Sequence, residues 1–274
     1  MKPADLLTQA DQLPNVPEVV RELIMALDNP NAKYSEIAAK VAKDQTLSLK
    51  VLRVVNSAYF GLSRKVASID EAVVMLGMER LKTLVIASGF AGSVKQVEGL
   101  DLKQFWSETF RIAEMSKWLA KHSPLVDADT AFATGVVHNI GRLLLHLAEP
   151  NRAKAVQQLI KESKASRSAA ELERFGFTSQ DAGRELLMKW HFPQEVCDAL
   201  VQYRKPLNDD ASHLAQVLHL AAYLNACVRE GRSKEEMISH FPIKVAMAAE
   251  VEMSVLNELE VIIERGKELE GLAA

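Results

Sequence analysis

The groups that could do chemistry in this chain are scattered. Seven histidines and two cysteines are present. No two histidines stand at the HxxxH spacing that puts a pair of metal ligands on one helix face. His213 and His219 are six residues apart, which turns them about 240° from each other on a helix. His146 follows His138 by eight residues, on one face but two turns away. His122, His191 and His240 stand alone. Cys197 and Cys227 belong to no CxxC, so the expected state is two small buried thiols rather than a disulfide or a zinc ribbon. Nucleophilic chemistry has no frame either. Ser88 lies in an apolar helical run with no GxSxG around it. Gly89-Phe90-Ala91-Gly92 is not followed by the Lys-Ser/Thr of a phosphate loop.

The elements that would have to position such groups are helical almost throughout. Val16, Val19, Val20, Leu23, Ile24 and Leu27 form one stripe at helical spacing. Thr46 precedes a helix carrying Leu47, Val51, Leu52, Val54 and Val55, and Ser68 with Glu71 has capping-box spacing. Residues 79–93 read as a buried helix. After a polar stretch at 95–101, helices are predicted at about 102–122, 128–147, 151–163, 168–175, 179–190, 194–203, 212–229, 234–240 and 243–266. No alternating strand pattern and no internal repeat emerges. The fold class is all-α, an irregular multi-helix bundle. Met75, Met78, Met115, Met188 and Met247 fall at core-like helical positions.

Composition narrows the function. The 274 residues are 48% hydrophobic and 25% charged with a net charge of −3, the proportions of a globular protein without a global basic field. No apolar run approaches the roughly 18 residues that span a membrane. The opening MKPADLLTQADQ has no h-region, so a cytoplasmic protein is expected. The stretch Asp44–Gly61, DQTLSLKVLRVVNSAYFG, could be the second half of a helix-turn-helix, with Lys43, Lys50 and Arg53 on phosphates. Its apolar positions leave too narrow a polar face to read base edges, so nucleic acid is not the expected partner. Asn56, Ser57, Tyr59, Phe60 and Gly61 form a corner. Asn56 and Ser57 can bond nearby backbone, and the two rings can serve recognition if exposed.

One combination of motifs is specific by its order. It begins with Leu13-Pro14-Asn15-Val16-Pro17, Asp44-Gln45-Thr46-Leu47-Ser48, Asn56-Ser57-Ala58-Tyr59-Phe60-Gly61 and Ala72–Gly77. It continues through Trp106, Gly135-Val136-Val137-His138-Asn139-Ile140-Gly141, Gly183 and Trp190-His191-Phe192-Pro193. This pattern resembles the HDOD family, the HD-related output domain of bacterial signalling proteins, over about residues 13–206. The resemblance implies an N-terminal helical lobe, residues 1–98. It is packed on a lobe related to HD-type metal phosphohydrolases, residues 99–274.

HD hydrolases bind divalent metal with histidines and aspartates on facing helices, and the metal activates water against a phosphoester. The resemblance places the central His-Asp pair at His138-Asn139, where the amide has replaced a carboxylate. The other ligand positions fall at Glu108, Ser179, Tyr203-Arg204 and Ala222. His138 alone survives cleanly, and Arg204 puts a fixed cation where a metal should sit. The expectation is a regulatory module without catalysis, metal or cofactor, acting by contact with a signalling protein. Two rivals use the same cleft. One is a nucleotide sensor with Arg142 and Arg204 on phosphate, and the other a residual phosphohydrolase using His138 and Glu108.

Overall fold

The computed structural model describes residues 2–10, 39, 41–42, 45–56, 64–76, 96–190 and 192–270. Near the N-terminus lie α1 (Pro3–Ala10), α2 (Gln45–Val55) and α3 (Ile69–Leu76). The long α4 (Leu102–Lys121) follows, then α5 (Ala128–Val137), α6 (Ile140–Ala148) and α7 (Pro150–Ser163). Next come α8 (Arg167–Phe175), α9 (Ser179–Lys189), α10 (Gln194–Gln202) and α11 (His213–Glu230). The chain ends in α12 (Lys234–Ser239), α13 (Ile243–Ala248), a 3-10 segment at Met253–Glu258 and α14 (Leu259–Glu270). The class is all-α.

Local chemistry sets the boundaries. Asp101, Ser166 and Ser212 accept from the backbone N–H three residues ahead, quenching donors that a helix start leaves open. Thr178 with Asp181, and Ser233 with Glu236, close reciprocal capping boxes. α8 and α11 stop at Gly176 and Gly231, which adopt the left-handed conformation at φ 80° and 68°.

α4 runs through the centre, packed on α5, α11 and α14, while α6 lies on α9 and α9 on α10. Phe132, Met115, Leu119, Leu143, Leu187 and Leu200 are among the largest side chains fully buried between them. α1 packs on α6 and α9 and adds Leu6 and Leu7 to the same core. Both cysteines are buried and neither forms a disulfide. Three of the methionines depart from their expected core positions. Met115 is buried, but Met75, Met188 and Met247 are 48%, 40% and 68% exposed. They sit on the outward faces of their helices, where helical spacing alone gives no direction. Met78 lies outside the described residues. Among those residues no helix is long and apolar enough to cross a membrane.

The helix expected across 128–147 is broken at His138 and Asn139. Asn139 has φ −109° and ψ 9°, which ends one helix and starts the next. The tail expected as one helix is broken too. Glu250 turns left-handed at φ 49°, and the Val251 N–H reaches back to the Ala246 carbonyl, a helix-ending pattern built without glycine. The N–H of Glu252 then bonds the His122 carbonyl, and the Ser123 hydroxyl bonds that of Ala249, pinning the turn to the end of α4.

Candidate functional site

The break at 138–139 depends on two close helix contacts. A Cβ on Gly135 would lie 2.4 Å from the Ala113 Cα, so α5 touches α4 backbone to backbone. A Cβ on Gly141 would lie 1.9 Å from the Ser179 carbonyl oxygen and 2.5 Å from the Gly183 nitrogen. The two glycines flanking the His-Asn pair and Gly183 are therefore there for approach.

His138 caps the end of α5 and is buried. Its Nδ1 lies 2.6 Å from the Gly135 carbonyl. A carbonyl only accepts, so Nδ1 carries the proton and Nε2 the lone pair. The ring stands edge-on to Tyr203, with centroids 6.4 Å apart. Burial pushes its pKa down to about 4, against the pull of the Gly135 bond and with help from Arg204 and Arg142. The imidazole is neutral at pH 7.

The other positions in the expected ligand set have different occupations. Asn139 starts α6 without a side-chain cap bond. Ser179 gives its N–H and its hydroxyl to Oε2 of Glu171, at 2.7 and 2.8 Å. The buried Tyr203 hydroxyl accepts from Gln180, and burial raises its pKa. Arg204 is exposed and lies over the Tyr203 ring, 4.9 Å from its centre. The Tyr203 carbonyl accepts from His219 and that of Pro206 from Gln216, so α11 anchors this turn. Glu108 accepts from Gln104, one turn back on α4. Ala222 on α11 packs against the core. Among the described residues no three His, Cys, Asp or Glu side chains converge to hold a metal ion.

Between α6, α7 and α8 lies a shallow recess with room for about one water, bordered by Arg142, His146, Arg167 and Glu171 with apolar walls from Leu145 and Phe175. Burial lowers Arg142 to a pKa of about 10, and Arg167 adds to the effect. The Nε of Arg142 is buried with no acceptor. Arg167 donates to Gln157 at 3.3 Å, and burial lowers its pKa as well. The buried His146 holds the Glu98 carbonyl through Nδ1 at 3.1 Å. The sequence reading named Arg142 but missed Arg167, Glu171 and His146 as neighbours. A local signal was present: 142 and 146 are four apart, as are 167 and 171, so each pair shares a helix face.

The second expected site is only partly described. Asn56 ends α2 and closes the loop to Val66. Its Nδ2 donates to the Val66 carbonyl at 2.8 Å, and its Oδ1 accepts the Val66 N–H at 2.7 Å. Ser57, Tyr59 and Phe60 lie outside the described residues. Val51, Val55, Val66, Ile69, Ala72 and Val73 are buried behind the clasp, and Arg53 faces solvent.

The HDOD domain profile matches residues 13–206. The chain belongs to the HDOD family. HDOD membership makes it a signalling module of helical HD-like fold. A candidate phosphohydrolase from Shewanella amazonensis is 31% identical to it, with 98% of both chains aligned and a TM-score of 0.81. An HDOD domain protein of unknown function from Geobacter sulfurreducens is 20% identical over 98% of both chains, with a TM-score of 0.74. A curated relative, an uncharacterized protein of Treponema pallidum, is 25% identical over 239 residues. The HDOD chain described here spans 46% of that relative's length.

Proposed function

We propose that this HDOD protein is a non-catalytic signalling module that works by contacting another protein, its HD cleft no longer built for a metal. The carrying observation is the donor set around His138. One imidazole nitrogen is left to offer a lone pair. The Ser179 hydroxyl is turned to Glu171, and the charges of Arg142 and Arg204 oppose any cation brought to the ring. Catalytic metals are usually held by three protein ligands, and these residues do not fit one. The partner surface includes the cleft mouth and the 56–61 corner, whose first residue, Asn56, is clasped to Val66. The phosphohydrolase name of the Shewanella relative favours the rival reading through His138 and Glu108.

Metal analysis of the purified protein, paired with hydrolysis of a p-nitrophenyl phosphodiester in manganese, tests the proposal. The expected result is less than stoichiometric metal and no turnover above buffer. One bound transition ion per chain, with turnover abolished in His138→Ala, overturns it.

A further inference from the structure

The stretch leading into α4 is gripped by two helices. Val97 and Leu100 pair across a tight turn, closed by the Leu100 N–H on the Val97 carbonyl at 3.1 Å, and both side chains are buried. Gly99 makes the turn possible with a φ of 73°. A Cβ on Gly99 would lie 3.1 Å from the stem of Lys154 on α7 and 3.7 Å from the His146 ring on α6. Lys154 also pairs with the Glu98 carboxylate, and the buried His146 holds the Glu98 carbonyl through Nδ1 at 3.1 Å. A carbonyl only accepts, so Nδ1 carries a proton and a second proton could enter only at Nε2. The charged groups around the ring are Arg142 on its own helix, Arg167 and Glu171 on α8, Lys154 on α7 and Glu98 in the turn. Glu171 is engaged by Ser179, and Glu98 by Lys154. Burial holds the imidazole below its ordinary pKa of 6.5 against the pull of the Glu98 bond, and Arg142 and Arg167 add to the effect. A space for about one water cannot hydrate an imidazolium set between two guanidinium groups.

We propose that His146 and the 97–100 turn form an acid-released clasp, in which a proton at Nε2 is accommodated only when the turn lifts off α6 and α7 and frees the stretch leading into α4. The bond from Nδ1 survives protonation. What opens the clasp is the hydration that the imidazolium needs and the closed site denies. With the ring neutral in both forms, above pH 6.5, the clasp is at its tightest. As pH falls through that value the open form gains a proton that the closed form refuses, so opening becomes more frequent. The clasp stands apart from the reading of His138 and holds whether or not the cleft takes a metal.

Hydrogen exchange of the full chain, read amide by amide by NMR at about pH 7.5 and about pH 5.5 and corrected for the intrinsic rate, tests it. The Leu100 N–H should exchange faster than the amides of α11, as a local opening does. Its protection should fall by up to about tenfold between the two conditions, the limit set by an ordinary imidazole in the open form. His146→Gln, whose amide can still donate to Glu98, should keep protection at the higher pH and lose the response to acid. Lys154→Met should lower protection by the same factor at both pH values. His138→Gln should leave the response in place, which separates the clasp from the titration of His138. Leu100 exchanging at the rate of α11, a response that persists in His146→Gln, or one that vanishes in His138→Gln or Lys154→Met overturns the clasp. If His146→Gln fails to fold by circular dichroism, the His146 ring of the wild type decides. A neutral ring at the lower pH in the protected form supports the clasp, and a protonated ring with Leu100 still fully protected overturns it.

Discussion

His138 and Arg142 stand four residues apart across one helix break, and their surroundings treat them in opposite ways. The imidazole is buried and neutral, and one nitrogen is bonded to Gly135. The guanidinium is half-buried, still charged at pH 7, and has an Nε that nothing accepts from. A group placed for packing is satisfied where it stands. The contrast therefore separates a side chain satisfied inside the fold from one that is not.

The largest effect comes from disturbing the frame that both residues share. Gly141→Ala puts a methyl group 1.9 Å from the Ser179 carbonyl, and backbone cannot rotate away as a side chain can. Urea denaturation should show a loss on the order of 4 kcal/mol. A loss under about 1 kcal/mol would mean that α6 and α9 do not touch as described.

Next is the pH dependence of His138. Above its unfolded pKa of 6.5 the ring is neutral in both states and the protein keeps its full stability. As pH falls toward about 4, the unfolded chain binds a proton that the folded chain refuses, so stability is lost across that window. The difference between the two values corresponds to about 3 kcal/mol. His146 and His219, both lowered chiefly by burial, act in the same direction. Comparing wild type with His138→Gln at pH 7 and pH 4.5 isolates the His138 share. The variant should lose less on acidification, and equal losses would contradict the buried neutral ring.

The smallest effect sharpens the comparison most. Arg142→Met keeps the unbranched apolar stem as far as the Nε position and removes a charge without an acceptor at Nε. Thermal unfolding should show no loss, or a gain of up to about 1 kcal/mol. A loss of more than about 2 kcal/mol would make Arg142 a structural residue like His138.

Much of this architecture was legible in local signals. Ser166, Thr178, Ser212 and Ser233 mark helix starts by side-chain chemistry that acts within three residues. The glycines of Gly135–Gly141 could be read as points of helix approach. The break at His138–Asn139 was not legible, because apolar residues continue with the same period on both sides. The turn at Glu250 was hidden for a different reason: a non-glycine residue holds the left-handed conformation through contacts made to α4. The recess escaped the sequence because Arg142 and Arg167 come from separate helices, and only packing determines that they meet. The four-residue spacings within each helix were visible, but they carry no information about which helix faces which.

The contact of Gly141 with Ser179 and Gly183 has a consequence for signalling. Two helices touching backbone to backbone cannot slide past one another, and Glu171 bolts α8 to the start of α9. This face is thus stiff beforehand, and a protein that contacts it need not spend binding energy on freezing it.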